Sequence, residues 1–291
     1  METFFTFLER RVDDCSSLLC VGLDPHVSDL ASPTAASARD FCLNLVRQTA
    51  PYAAAFKPNA AFFEVFGADG WVALKQVIDA IKEESARRGS MIPIILDAKR
   101  GDIASTAEAY AKSAFDALGA DCITLSPYLG KDSIDPFLNH PEKGVFLLCK
   151  TSNAGSGDLQ DLTVDGGQWT EDESRSTVNG PSSMPLFVHV AKLAQTWNTK
   201  NNIGLVVGAT HLDAMKRVRA AAPDLWFLAP GVGTQGGELE STLKSGLRSD
   251  GKGLLLPMSR SISRAANPAL AAAEIRDQIL EIREQLRSKG K

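Results

Sequence analysis

The sequence predicts a (β/α)8 barrel, an α/β fold built as a single domain over residues 1–291. Short apolar runs recur eight times along the chain, and the segments between them carry apolar residues at helical spacing. The runs are continuous rather than alternating, as expected of strands covered on both faces in a parallel sheet. A doubly wound sheet uses the same units, but eight evenly spaced alternations favour closure into a TIM barrel, and single barrels of roughly 250 residues or more are ordinary.

The predicted strands are residues 18–23 (LLCVGL), 52–57 (YAAAFK), 92–97 (IPIILD), 121–125 (DCITL), 144–150 (GVFLLCK), 203–208 (IGLVVG), 225–229 (LWFLA) and 253–257 (GLLLP). Helices are predicted over residues 71–88 and 103–118, where apolar positions recur every three or four residues. One interval breaks the rhythm. Residues 152–185, SNAGSGDLQDLTVDGGQWTEDESRSTVNGPSSMP, are rich in Gly, Ser, Asp and Thr and follow the fifth strand, so they are expected to form a long loop on the face that carries barrel active sites, with the role of a lid. The segment from Ala265 onward is helical with a basic end.

Composition narrows the function classes. The chain is 44% hydrophobic and 23% charged with a net charge of -4, which gives no basic footprint for nucleic acid. No apolar run approaches the roughly 18 residues of a membrane span, and METFFTFLERRVDD lacks the basic start and long apolar core of a signal peptide. Five cysteines, Cys15, Cys20, Cys42, Cys122 and Cys149, show no CxxC spacing and read as small buried hydrophobes of a reducing compartment. A cytoplasmic protein is expected.

Two motifs imitate known sites. GVGTQG at 231–236 satisfies GxGxxG, but the next strand ends in Arg260 where a dinucleotide site wants an acid. GLRSDGKG at 246–253 approaches a P-loop, but Gly253 replaces the magnesium-binding hydroxyl and the motif precedes a strand, so a turn is expected. His26, His140, His189 and His211 have no ligand spacing, and no metal site is expected.

The chemistry gathers in ILDAKRGDIAST, residues 95–106, where Asp97, Lys99, Arg100 and Asp102 stand at the end of a buried strand. Side chains two apart on a strand share a side, so Asp97 and Lys99 should both face the mouth, where Lys57 at the end of the preceding strand reaches the same space. Asp102, after a glycine, suits the start of a helix as a cap. Any one of these charges is as readily a structural ion pair. Together they form a preorganised field at the place where barrel strand ends converge. The glycines of PGVGTQGG (Gly231, Gly233, Gly236 and Gly237), with Gln235 among them, and Arg260 occupy the positions after strands 7 and 8 where barrels commonly hold a phosphate. A phosphorylated small molecule lying across the mouth is the implied ligand. Arg100 has no assigned role.

These residues resemble a family. Asp97-Ala98-Lys99-Arg100-Gly101-Asp102-Ile103 with Thr106 is similar to the DxKxxDIxxT motif of the orotidine 5'-monophosphate decarboxylases, and FKPNAAFFE, TLSPYLG and the long loop after strand 5 resemble their divergent bacterial-type branch. The resemblance implies cofactor-independent conversion of orotidine 5'-monophosphate to UMP and CO2, the last step of pyrimidine nucleotide synthesis. It implies catalytic roles for Lys57, Asp97, Lys99 and Asp102. It also implies substrate contacts from Asp24 at the ribose, Ser152 at the pyrimidine, Gln235 and Gly236 between base and phosphate, and Arg260 at the phosphate. Ile103 and Thr106, with Asp102, are implied to reach a neighbouring subunit's site, and hence a homodimer. The family's usual Gly-Arg is Ser259-Arg260 here, with Arg264 one helical turn on as the alternative phosphate ligand. The nearest rivals are a magnesium-dependent sugar-phosphate decarboxylase or synthase with a DxKxxD core, and a catalytically dead nucleotide-binding barrel.

Overall fold

The computed structural model describes residues 2–164, 183–232 and 236–289. Its strands, in chain order, are β1 (Leu19–Leu23), β2 (Ala55–Pro58), β3 (Ile95–Arg100), β4 (Cys122–Leu125), β5 (Gly144–Lys150), β6 (Thr163–Val164), β7 (Met184–Pro185), β8 (Ile203–Val207), β9 (Phe227–Leu228) and β10 (Leu254–Met258). Eight of them form one parallel sheet in the order β2-β1-β10-β9-β8-β5-β4-β3. Bridges Phe56↔Ile94 and Asn59↔Asp97 join its two outer strands, so the barrel closes.

The continuous apolar runs behave as expected of strands covered on both faces. Every residue of β1 and of β8 is buried, with the barrel interior on one side and helices such as Ala35–Thr49, Gly67–Arg88 and Leu186–Trp197 on the other. The opposite end from the mouth is shut by the first helix, Phe4–Cys15, capped by the Thr3 hydroxyl. Phe5 stacks on Trp226 at 6.3 Å and meets Phe146 edge-on at 5.5 Å. Gly144 has no room for a side chain there, since a Cβ would lie 2.3 Å from the Phe4 ring. A plugged lower end leaves the C-terminal ends of the strands as the open face.

The structure refines several expectations. The second strand begins at Ala55 rather than residue 52, because the amides of Tyr52 and Ala53 both turn back onto the Thr49 carbonyl. The helix expected over 71–88 starts earlier, at Gly67, and the one expected over 103–118 runs as Ala104–Lys112 and then widens into a π turn at Ser113–Ala117. Residues 165–182 of the expected lid lie outside the described residues. Its described ends are not irregular: Ala154–Ser156 and Gly157–Gln160 are short helical turns, and β6 pairs antiparallel with β7. GLRSDGKG is a turn closed by Gly251 N to Arg248 O at 2.9 Å, with positive φ at Gly251 and Gly253. All five cysteines are free and buried, and no helix among the described residues is long and apolar enough to cross a membrane.

Candidate active site

At the open face, β2 and β3 present Lys57 and Asp97, both buried at under a tenth of their possible exposure. Lys57 Nζ lies 2.8 Å from Asp97 Oδ2 and 3.9 Å from Asp24 Oδ1, the latter just beyond β1. Lys99 Nζ lies 2.6 Å from the other oxygen of Asp97, so a single carboxylate bridges two ammonium groups. Burial disfavours each charge, but the opposite charges outweigh it. Asp24 and Asp97 hold the Lys57 pKa above the ordinary lysine range, and Lys57 and Lys99 hold the Asp97 carboxyl well below the usual carboxylate range. Lys57 and Asp97 are therefore both ionised at neutral pH before any ligand enters.

The residue that shapes this geometry, Thr124 of β4, escapes a reading of the sequence because it stands inside the apolar run CITL. Its hydroxyl donates to Asp97 Oδ1 at 3.1 Å and accepts from the amides of Ala98 and Lys99 at 3.1 and 2.9 Å. Those bonds support a backbone turn in which Lys99 adopts φ +48°, a left-handed conformation that costs a non-glycine residue of order 1 kcal/mol or more. Simple strand alternation therefore does not extend to Lys99: the turn carries its ammonium onto Asp97. Thr124→Val keeps the shape but removes all three bonds. It is expected to lower kcat/KM about tenfold, on the scale of one misaligned catalytic group. Steady-state kinetics check it.

The other sequence-predicted residues are placed as follows. Asp24 Oδ1 is buried without a hydrogen-bond partner among the described residues, as is the Ser259 hydroxyl, and the two side chains flank Gly22, where a Cβ would sit 3.1 Å from Asp24 Oδ2 and 2.9 Å from Ser259 Cβ. Ser152 follows β5 and packs on the neighbouring strand ends: a Cβ on Gly208 would fall 3.0 Å from its Cα, and one on Gly231 3.8 Å from its hydroxyl. Gly236 opens the helix Gly236–Gly246, while Gln235 lies outside the described residues. Arg264 is engaged by Asp29 at 3.0 Å. Arg260 is exposed, opens the turn Arg260–Ser263, and makes no ion pair among the described residues.

Asp102 is not the helix cap that its position after a glycine suggested. Within one chain it makes no ion pair or hydrogen bond with Lys57, Asp97 or Lys99 among the described residues. Its carboxylate accepts the Ile103 amide at 2.8 Å, because the helix begins one residue later than a capping aspartate would require. Ile103 is 53% exposed, and Thr106 is exposed beside it. Arg100 does have a role: it pairs with Glu64 at 2.5 Å and lies over the Tyr110 ring, bracing the β3 end. Among the described residues no group of three or more His, Cys, Asp or Glu side chains is placed to hold a metal ion.

This arrangement has relatives. A protein of Roseiflexus castenholzii named orotidine 5'-phosphate decarboxylase is 44% identical over 287 residues, covering 97% of each chain. The structure of Leishmania donovani OMP decarboxylase superposes with a TM-score of 0.81 at 49% identity, covering 97% of this chain and 99% of that one. Leishmania donovani UMP synthase matches with a TM-score of 0.82 at 50% identity, and there this chain spans 57% of the larger protein. The model of the orotidine 5'-phosphate decarboxylase / HUMPS family matches residues 17–275, from the start of the barrel into its last helix. A barrel of this topology, matched over nearly its whole length in sequence and in three dimensions, belongs to the orotidine 5'-phosphate decarboxylase / HUMPS family.

Proposed function

We propose that the chain converts orotidine 5'-monophosphate to UMP and CO2, the final step of pyrimidine nucleotide synthesis, without a metal or organic cofactor. One observation carries this reading above all: a buried carboxylate held between two ammonium groups at the barrel mouth. Loss of CO2 from C6 leaves a carbanion in the plane of the ring, which the ring stabilises poorly. The transition state therefore needs a fixed positive charge at C6 and a proton ready to follow. Lys99, half exposed toward the mouth, supplies both. Asp97 lies beside the substrate carboxylate, and Lys57 holds Asp97 in place. Proton balance is simple: the C6–CO2 bond breaks, its electron pair stays on C6, and the Lys99 ammonium delivers the proton there.

Asp24 meets the ribose, Ser152 the pyrimidine, and Gln235 and Gly236 the span between base and phosphate. Arg260 takes the phosphate, since Arg264 is already paired with Asp29. Binding energy from that remote phosphate helps order the reacting end. Arg260→Ala is expected to lower kcat/KM by about 10²-fold, the scale for loss of a charge-assisted phosphate contact, and the loss should be partly restored by added guanidinium. Substrate saturation curves with and without guanidinium measure both effects.

The exposure of Ile103 and Thr106, beside a half-buried Asp102, supports a homodimer in which one subunit completes the other's site. Residues 1–291 act as a single barrel domain, in the cytoplasm and without a nucleic-acid partner. The rival within the family is a magnesium-dependent enzyme acting on a sugar phosphate, which must stabilise an enediolate. Chelation separates the two. Turnover of orotidine 5'-monophosphate is expected to be unchanged by EDTA, and an activity that EDTA abolishes and magnesium restores would contradict the reading.

A further inference from the structure

The chain that leaves β5 is tied back onto the strand end just before Ser152. Lys150, the last residue of β5, is 3% exposed, and its ammonium lies 2.7 Å from Asp161 Oδ1, eleven positions further on. The next residue, Thr151, is held by Gln160, nine positions on: its amide donates to Gln160 Oε1 at 2.9 Å, and Gln160 Nε2 donates to Thr151 Oγ1 at 2.8 Å. The Thr151 hydroxyl in turn donates to Asn153 Oδ1 at 2.7 Å. Consecutive residues thus engage consecutive residues, and every polar atom of the Gln160 amide that faces Thr151 is used.

Anchoring the loop alone does not require these bonds. Its far side is attached independently by the β6 and β7 pairing and by Leu186 N to Leu162 O at 2.8 Å. What the Gln160 bonds fix is the backbone of Thr151, and with it the direction in which Ser152 leaves the strand. Ser152 has little freedom to adjust, because it is wedged against Gly208 and Gly231 at van der Waals distance or closer to any side chain that might replace them. A shift of about 1 Å at such a position is enough to misplace a ligand contact.

We propose that Gln160, backed by the Lys150 and Asp161 ion pair, is a positioning residue that holds Ser152 at the pyrimidine end of the site, so that recognition of the base rather than the phosphate depends on it. This rests on the site being one for orotidine 5'-monophosphate, and the test keeps the two apart. Wild type, Gln160→Ala, Gln160→Glu, Ser152→Ala and the Ser152→Ala/Gln160→Ala double variant are titrated with UMP and with ribose 5-phosphate, which shares the sugar and phosphate but has no base.

Gln160→Ala is expected to bind UMP about tenfold more weakly, on the scale of one lost hydrogen bond, and ribose 5-phosphate within twofold of wild type. Gln160→Glu keeps the acceptor for the Thr151 amide, so its loss falls between the two; if the alanine variant does not fold, the glutamate variant carries the comparison. The double variant is expected to bind UMP no more weakly than Ser152→Ala alone, because Gln160 acts through Ser152. Additive losses in the double variant, equal weakening of both ligands, or UMP affinity unchanged in the Gln160 variants would overturn the clamp. A wild-type protein that does not turn over orotidine 5'-monophosphate would overturn the reading of the site itself.

Discussion

Replacing Lys99 by alanine is expected to lower kcat/KM for orotidine 5'-monophosphate by about 10⁴-fold while changing the affinity for UMP less than about tenfold. The asymmetry follows from where Lys99 acts. UMP carries a hydrogen at C6 where the substrate carries a carboxylate, so the product lacks the charge that Lys99 neutralises in the transition state. Removing a proton donor costs roughly 10²- to 10⁴-fold, and removing a preorganised positive charge a further 10²- to 10³-fold; the two overlap here because one group supplies both. The side chain is half exposed and its backbone is held by Thr124, so the variant keeps the fold and the loss is read as chemistry. Pre-steady-state turnover with UMP titration measures both quantities.

Asp97→Ala has the second large effect, and it appears in stability as well as in rate. The substitution leaves Lys57 buried with only the more distant Asp24 facing it, and brings Lys57 and Lys99 into uncompensated proximity. Breaking a buried pair from one side costs roughly 3 to 5 kcal/mol, and Asp24 at 3.9 Å offsets a part, so a loss of about 3 kcal/mol in denaturant unfolding is expected. Activity should fall by at least the Lys99→Ala factor, since Lys99 loses the carboxylate that aims it. Asp97→Asn, which keeps the shape, should lose activity similarly but retain more of the stability.

The same pair sets a pH window. Asp97 has a depressed pKa in the folded chain, so its contribution is complete above the unfolded carboxylate value of about 4 and is lost as pH falls through its folded value. Lys57 has a raised pKa, so its contribution is complete below the unfolded lysine value of about 10.4 and is lost as pH rises through its folded value. The stability difference between wild type and Asp97→Ala should therefore be fully present above about pH 4, narrow as pH falls below it, and narrow again on the alkaline side once the buried Lys57 of the variant, which has lost Asp97, gives up its proton. Unfolding curves across that range check it.

The barrel was legible because fully buried parallel strands write themselves as unbroken apolar runs, and each predicted run overlaps a strand. Strand ends were less legible. Only Phe227 and Leu228 of the seventh run form the strand proper, although the Trp226 carbonyl before them accepts from the Leu205 amide at 2.8 Å and the Ala229 amide after them donates to the Leu255 carbonyl at 2.9 Å. The charged array was legible for a similar reason: Lys57, Asp97 and Lys99 all terminate apolar runs, where charge has no structural excuse unless partners converge.

What stayed hidden depends on distance along the chain and on backbone conformation. Arg100 finds Glu64, 36 positions earlier, and no local pattern reports such a pair. Lys99 reaches Asp97 through a left-handed turn rather than by strand alternation, and the hydroxyl that supports the turn comes from β4. Asp102 matches its motif yet stands apart from the array in a single chain, since its place is decided by the helix start at Ala104.

The most direct measurement of the central claim is the ultraviolet absorbance of orotidine 5'-monophosphate mixed with the purified chain in the presence of EDTA, recorded beside Lys99→Ala. Rapid loss of the substrate band and appearance of UMP are expected for the wild type, with no measurable change for the variant over the same time. No loss with the wild type, or equal loss with Lys99→Ala, would contradict it.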